Sequence, residues 1–224
     1  MKYFNNHFLF SETYIKEYIR QENRKKKEDN NEVESAFQQV KDWNNEFVFG
    51  DYSNEHWFAY IDSVLDVLKF PYRKIVGNTR ILYANTISES EKPVAICYFV
   101  DKEEGITSRK KGKYYAYNAL KTAKEYEVNW AMLTNGYQWR IYNTKNVSLY
   151  ENYLEVDIEE SIRNNKKADD AFELFYLFFN VHTYYTKDGE LEISLKDIIR
   201  DANYVSEYKK IDEFENLIIR FSDF

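Results

Sequence analysis

Asn129-Trp-Ala-Met-Leu-Thr-Asn-Gly-Tyr-Gln-Trp-Arg-Ile-Tyr142 is the stretch on which the fold turns. Trp130, Ala131, Met132 and Leu133 form a short apolar run that stops at Asn135-Gly136, and Trp139, Ile141 and Tyr142 open a second run. Asn and Gly both tolerate the positive φ of tight primed turns, so this spacing predicts a hairpin. The first run lacks strict apolar-polar alternation, which predicts a strand covered on both faces, deep in a sheet. Such a strand is a place for core, not for a surface site.

Working outward, the flanking patterns supply the rest of a sheet and its helices. Tyr114 to Tyr126 reads as a helix, and Pro93 to Val100 as a central strand, being a continuous run with the β-formers Val94, Ile96, Tyr98, Phe99 and Val100. Tyr72 to Val76 and Thr79 to Ala84 read as strands joined at Gly77-Asn78. Asn54 to Leu68 is the clearest helix, with Trp57, Ile61, Val64, Leu65 and Leu68 on one face, Ser53 or Asn54 as cap and Pro71 as stop. Earlier still, Val33, Phe37, Val40 and Trp43 make a helical stripe, and Ser11 caps a helix bearing Tyr14, Ile15, Tyr18 and Ile19. Downstream, Leu149 to Val156 reads as a strand or extended arm, Ile158 to Asn164 as a short helix, and Ala168 to Asn180 as a strongly aromatic helix. Asp188-Gly189 marks a turn, and Leu195 to the end returns to helix with Phe214, Leu217, Ile218 and Phe221 as its stripe.

Composition bounds the class. In 224 residues, 44% are hydrophobic, enough for a sizeable core, and 21 Tyr and 16 Phe against 6 Gly and 2 Pro predict an aromatic interior with few loops. The net charge of -7 works against a free-standing nucleic-acid binder, since phosphate neutralisation needs a local excess of Lys and Arg. The run Arg24-Lys25-Lys26-Lys27 is answered at once by Glu28 and Asp29 and reads as a solvated face. Cys97 is the single cysteine, which excludes an intrachain disulfide framework and cysteine-rich zinc sites. No apolar run reaches the length of a membrane span and the first residues lack a signal peptide's apolar core, so a soluble, cytoplasmic protein is expected.

The order helix, buried strand ending Leu133-Thr134-Asn135-Gly136, then Trp139-Arg140-Ile141-Tyr142 resembles the nuclease-like N-terminal domain of type IIG restriction-modification enzymes and of type I restriction subunits. The likeness extends upstream to Phe8-Leu9-Phe10-Ser11-Glu12-Thr13-Tyr14 and downstream to the aromatic run from Phe172 to Phe179. It implies the PD-(D/E)XK restriction-endonuclease-like fold. In an active enzyme of that kind an Asp on one strand and Glu-X-Lys on the next converge on Mg²⁺, which stabilises charge on the attacked phosphate while the Lys orients or activates water. Residues i and i+2 of a strand share a face, so the Glu and Lys reach one phosphate together.

Matching the family's Pro-Leu-Ala-Val-Ile-Glu-Ala-Lys to Pro93 onward puts Tyr98 in the Glu position and Val100 in the Lys position. The Asp falls near Ile81, and the Gln often found on the following helix corresponds to Asn118. Ile81, Tyr98 and Val100 neither bind Mg²⁺ nor deliver a proton at neutral pH, so no catalytic metal is expected at those positions. Relocated candidates are Glu55 on the preceding helix and Asp101, Lys102 and Glu103 just past the strand; a regular strand puts Asp101 on the face opposite Tyr98 and Val100. Arg109, Lys110, Lys111 and Lys113, with Tyr114 and Tyr115, are candidate DNA contacts before a helix N-terminus. His7, His56 and His182 lack ligand neighbours at i+3 or i+4, and Cys97 sits in a buried strand where a thiol is packing. There is no Gly-rich phosphate loop and no nucleophile elbow.

The expected architecture is α/β or α+β: a mixed sheet of about five strands flanked by helices, with a helical segment at 1–50, the nuclease-like core at 51–160 and a helical segment at 161–224 packed on it. The expected function is a restriction-modification-related domain that keeps the nuclease scaffold, lacks its metal site, and contacts DNA or docks to a methyltransferase or other subunit. The alternatives are a Mg²⁺-dependent endonuclease with a relocated site, and a protein-interaction module using exposed tyrosines.

Overall fold

A computed structural model describes residues 3–25, 30–48, 53–75, 77–85, 87, 92–107, 114–145, 150–164 and 170–184. The polar run at 26–29, the four cations between 109 and 113, the turn at 188–189 and the helix expected from Leu195 onward lie outside them. The described residues form a mixed α/β fold with seven strands in one sheet and six helices. In chain order these are β1 Phe4–His7, α1 Glu12–Lys25, α2 Asn30–Val48, α3 Asn54–Val67, β2 Tyr72–Lys74, β3 Thr79–Tyr83, β4 Pro93–Phe99, α4 Tyr115–Glu125, β5 Trp130–Thr134, β6 Gln138–Asn143, β7 Tyr153–Asp157, α5 Glu159–Arg163 and α6 Asp170–Phe179. A short 3₁₀ turn, Val181–Thr183, follows.

The strands lie in the order β1-β7-β6-β5-β4-β3-β2. Every pair is antiparallel except β4 and β5, which run parallel with α4 as their crossover, pairing Ala95 with Trp130 and Phe99 with Thr134. Pro93 to Val100 and Trp130 to Leu133 are thus neighbours at the centre of one sheet, and β5 is buried at every residue. That double burial is why its sequence runs apolar without alternation.

The expected count of about five strands is corrected to seven. β1 was not legible because three of its four residues are polar, so no period-2 pattern announces it. It forms by pairing Phe4 through His7 with Val156 through Tyr153 of β7. The segment expected to be purely helical at 1–50 therefore gives the sheet an edge. Asn6 then turns the chain, its side chain bonding both the carbonyl and the amide of Phe10 at 2.6 and 3.1 Å.

The tight two-residue turn expected at Asn135-Gly136 is also corrected, because β5 ends at Thr134 and β6 begins at Gln138, leaving a three-residue loop. Gly136 alone takes positive φ, +92°. The Asn135 carboxamide oxygen instead accepts from the amides of Tyr137 and Gln138 at 3.1 and 2.8 Å, and Thr134 Oγ1 accepts from Gly136 N at 2.9 Å. Side chains thus supply the hydrogen bonds that a primed turn would have made.

Alternation along the strands divides the core in two. Leu82, Ala95, Cys97, Phe99, Trp130, Met132, Trp139, Ile141, Leu154 and Val156 join residues of α1, α2, α3 and α6 in one apolar cluster that draws on all three expected segments. Ile81, Tyr83, Ile96, Ala131, Leu133 and Tyr142 pack with Tyr115, Ala116, Ala119, Leu120 and Ala123 of α4 in the other. Ser53 caps α3 as its sequence predicts, its hydroxyl accepting from His56 N at 3.2 Å. Ser11 does the same for Tyr14 N at 3.1 Å before α1.

Candidate functional site

The positions that would carry nuclease chemistry lie where β3 and β4 meet α4. Ile81 stands opposite Ile96, and both are buried. Tyr98 pairs with Leu133 across β5, and its ring lies 6.3 Å from that of Tyr115. Val100 is 1% exposed and continues the ladder past the end of β4, its amide donating to Thr134 O at 2.7 Å. Asn118 is half-buried on α4. Above this layer α4 presents Ala116, Ala119 and Ala123, whose small side chains let the helix sit close to the sheet. The space between strand and helix is filled by hydrocarbon and ring.

The relocated candidates sit at the carboxyl end of β4, on the α3 side. Asp101 to Glu104 form a turn in which Glu104 N donates to Asp101 O at 2.9 Å. Lys102 places its ammonium 4.6 Å from the centre of the Trp57 ring. The Trp57 indole N–H donates to Asn135 O at 2.9 Å, which ties the start of α3 to the β5–β6 loop. A cavity of about 80 Å³ opens here, lined by Phe47, Ser53, His56, Trp57, Lys102 and Glu103 among others. Glu55, in the first turn of α3, is exposed, and neither it nor Asp101 lines the cavity. Of the four relocated candidates, Lys102 and Glu103, neighbours in sequence, line the cavity, and Glu55 and Asp101 do not. Hard cations such as Mg²⁺ need several oxygen ligands. Among the described residues, no three His, Cys, Asp or Glu side chains gather closely enough to hold one. His56 packs on Phe47 at 4.6 Å with Nε2 buried and unbonded.

Two ion pairs, one buried and one partly buried, were not singled out from sequence. Asp62 of α3 receives Arg80 of β3 through two bonds, 2.6 and 2.9 Å, and Lys74 of β2 at 2.8 Å. Arg80 also donates to Gly77 O at 2.8 Å and lies 4.6 Å from the Phe99 ring centre. Burial, then the neighbouring Asp62 charge, pushes Asp66 above the usual carboxylate range, and the same causes push Tyr72 up to about 12. The signal available in sequence was an Asp lodged between Ile61 and Val64 on an otherwise apolar helix face. The second pair joins Arg140 of β6 to Glu155 of β7, with the guanidinium 4.2 Å from the Tyr153 ring centre and His7 stacked on Tyr153 at 4.4 Å.

A third grouping is aromatic. Tyr150, in the chain before β7, meets Tyr114 at 5.2 Å and Tyr117 at 6.4 Å, at the start of α4. Tyr117 is 47% and Tyr150 37% exposed, so this cluster faces solvent. The candidate DNA contacts Arg109, Lys110, Lys111 and Lys113 immediately precede it in sequence. Cys97 is fully buried, and burial pushes its thiol pKa far up, which leaves it inert.

No family model, curated protein or solved structure matches the chain. No described helix is long and apolar enough to cross a membrane.

Proposed function

We propose that this chain is a restriction-modification-related domain with a PD-(D/E)XK-like scaffold in which phosphodiester cleavage has been given up, and which serves to contact DNA or to dock a partner such as a methyltransferase subunit. The element order supports it: helix α3, the β2–β3 hairpin, central strand β4, helix α4, then β5 parallel to β4, as the resemblance implies. The single observation that carries the loss of cleavage is the layer formed by Ile81, Ile96, Val100 and the alanines of α4, with Tyr98 against Tyr115 at its margin. A metal site there would need two carboxylates and a lysine in volume now held by well-packed apolar groups, and burying unpaired charge in such a place is strongly unfavourable.

The test is incubation of the purified chain with supercoiled plasmid and Mg²⁺ or Mn²⁺. The plasmid should stay supercoiled while salt-sensitive DNA binding or capture of a methyltransferase subunit is retained. Metal-dependent cleavage that disappears in Glu103→Ala, or in Glu55→Ala or Asp101→Ala, would establish instead an endonuclease with a relocated site. The feature on which that rival rests is the sharing of one cavity by Lys102 and Glu103.

A further inference from the structure

The outer edge of β2 has a use that the scaffold reading leaves open. Among the described residues β2 is the last strand of the sheet, and it pairs there with β3 alone. The ladder runs past both its ends, since Tyr83 N donates to Pro71 O at 2.8 Å and Ile75 N to Thr79 O at 3.1 Å. In an antiparallel pair, successive residues turn their backbone groups alternately toward and away from the partner. Pro71, Arg73 and Ile75 therefore face β3, which leaves the amides and carbonyls of Tyr72 and Lys74 pointing outward. Pro71 falls on an inward position, so its missing N–H takes nothing from the outer row.

Charge decides what this edge accepts. Arg73 is exposed and has no ion pair among the described residues. Lys74 is 63% exposed and reaches Asp62, a carboxylate that Arg80 already holds through two bonds. Arg73, Lys74 and Arg80 thus outweigh Asp62 and Asp66 at this corner of a chain whose net charge is -7. A second copy of β2 laid alongside would set these cations against their own kind, which is destabilising and is one way edge strands avoid pairing with themselves. An extended acidic segment meets the opposite situation. Its backbone continues the ladder on Tyr72 and Lys74 while its carboxylates fall beside the cations. Tyr72 stands opposite Leu82 and Lys74 opposite Arg80 on the α3 side of the sheet, and Arg73 opposite Ile81 on the α4 side. The strand that fits therefore carries two adjacent acids, for Lys74 and Arg73, and next to them an apolar residue for the half-buried Tyr72.

We propose that the outer edge of β2 takes an extended acidic segment of a partner protein as an added strand. This rests on the partner-docking part of the function proposed above and names the partner's chemistry. The experiment follows backbone amide exchange of the full chain by NMR, alone and with the peptide Thr-Val-Glu-Glu-Val-Thr, whose order offers the same contacts in either strand direction. In the free chain the Arg73 amide should be protected while those of Tyr72 and Lys74 exchange freely, and the peptide should protect both. Binding read by fluorescence anisotropy should weaken about tenfold or more in Arg73→Glu, and likewise for Thr-Val-Lys-Lys-Val-Thr. A comparable loss is expected when alternate amides of the acidic peptide are N-methylated, which keeps its charge and removes its ladder bonds. Tyr72 and Lys74 amides already protected in the free monomer would show that the chain's own residues cover the edge, and protection that grows with protein concentration would show that a second copy does. Either result would overturn the proposal, as would undiminished binding of the lysine or N-methylated peptide, or no binding of the acidic one at low salt. Plasmid cleavage, by contrast, would overturn the silent-scaffold reading and leave the added strand standing, whereas an intact plasmid with an unresponsive edge would do the reverse.

Discussion

At the residue scale, Arg80 and Asp62 show how a charge earns a place inside. The Arg80 guanidinium satisfies its donors on two carboxylate oxygens and the Gly77 carbonyl, so almost nothing is left unpaired although both side chains are nearly buried. Removing one partner strands the other. Asp62→Ala is expected to lower unfolding free energy by about 3–5 kcal/mol in urea titrations, while Asp62→Leu/Arg80→Met together should lose far less than the two single changes summed. Lys74, whose side chain is 63% exposed, reaches the same carboxylate but is screened, and Lys74→Ala should cost about 1 kcal/mol or less. Gly136 is constrained in a different way. A Cβ built on it would meet Trp57 Cζ2 at 2.7 Å, and its φ of +92° disfavours any side chain. Gly136→Ala is expected to cost about 1–3 kcal/mol from overpacking alone, read as a lowered melting temperature, and to loosen the Trp57–Asn135 bond beside the cavity.

At the element scale, α4 lies close to the sheet because alanines line its buried face, and this same closeness fills the layer around Ile81, Ile96 and Val100 with apolar groups. Ala119 is fully buried, so Ala119→Leu has no room and should cost about 1–3 kcal/mol or more by thermal or chemical denaturation. A stronger check of the proposed reading is to introduce the nuclease motif. Tyr98→Glu with Val100→Lys would give β4 the Glu-X-Lys spacing of the nucleases that the sequence resembles, yet Val100 is 1% exposed and shares an apolar cluster with residues of α4. The variant should be destabilised by several kcal/mol and still fail to cleave plasmid with Mg²⁺; a stable variant that cleaves would show that the layer opens more easily than its packing implies. The helices and the central strands were legible because each is long enough to express a period, and caps such as Ser11 and Ser53 fell where the sequence put them. The edge strand β1 was not, since four mostly polar residues acquire their conformation only from pairing with β7.

At the scale of the whole molecule, the tyrosines couple stability to pH. Burial pushes Tyr142 up to about 12, Arg140 partly opposing it, and drives Tyr60 and Tyr184 well above the ordinary value. In the unfolded chain these phenols ionise near the ordinary tyrosine value of 10.0, whereas in the fold they hold their protons. The unfolded state then binds fewer protons, so stability is intact below pH 10 and falls as pH rises from there toward about 12. Tyrosinate absorbance followed with circular dichroism should show the buried phenols titrating only together with unfolding; reversible ionisation of all tyrosines in a folded chain would contradict this. The sequence alone determined a mixed α/β class, the helical stripes and the non-ligating side chains at Ile81, Tyr98 and Val100, because periodicity and residue chemistry are local properties of the chain. Only tertiary structure decided that Lys102 and Glu103 share a cavity without Glu55 or Asp101 in its lining, that Asp62 belongs to Arg80, and that Tyr150 joins Tyr114 and Tyr117. Asp62 and Arg80 lie 18 positions apart, and Tyr150 follows Tyr117 by 33 and Tyr114 by 36; which of them meet is fixed by strand pairing and helix docking, long-range contacts that leave no period to be read.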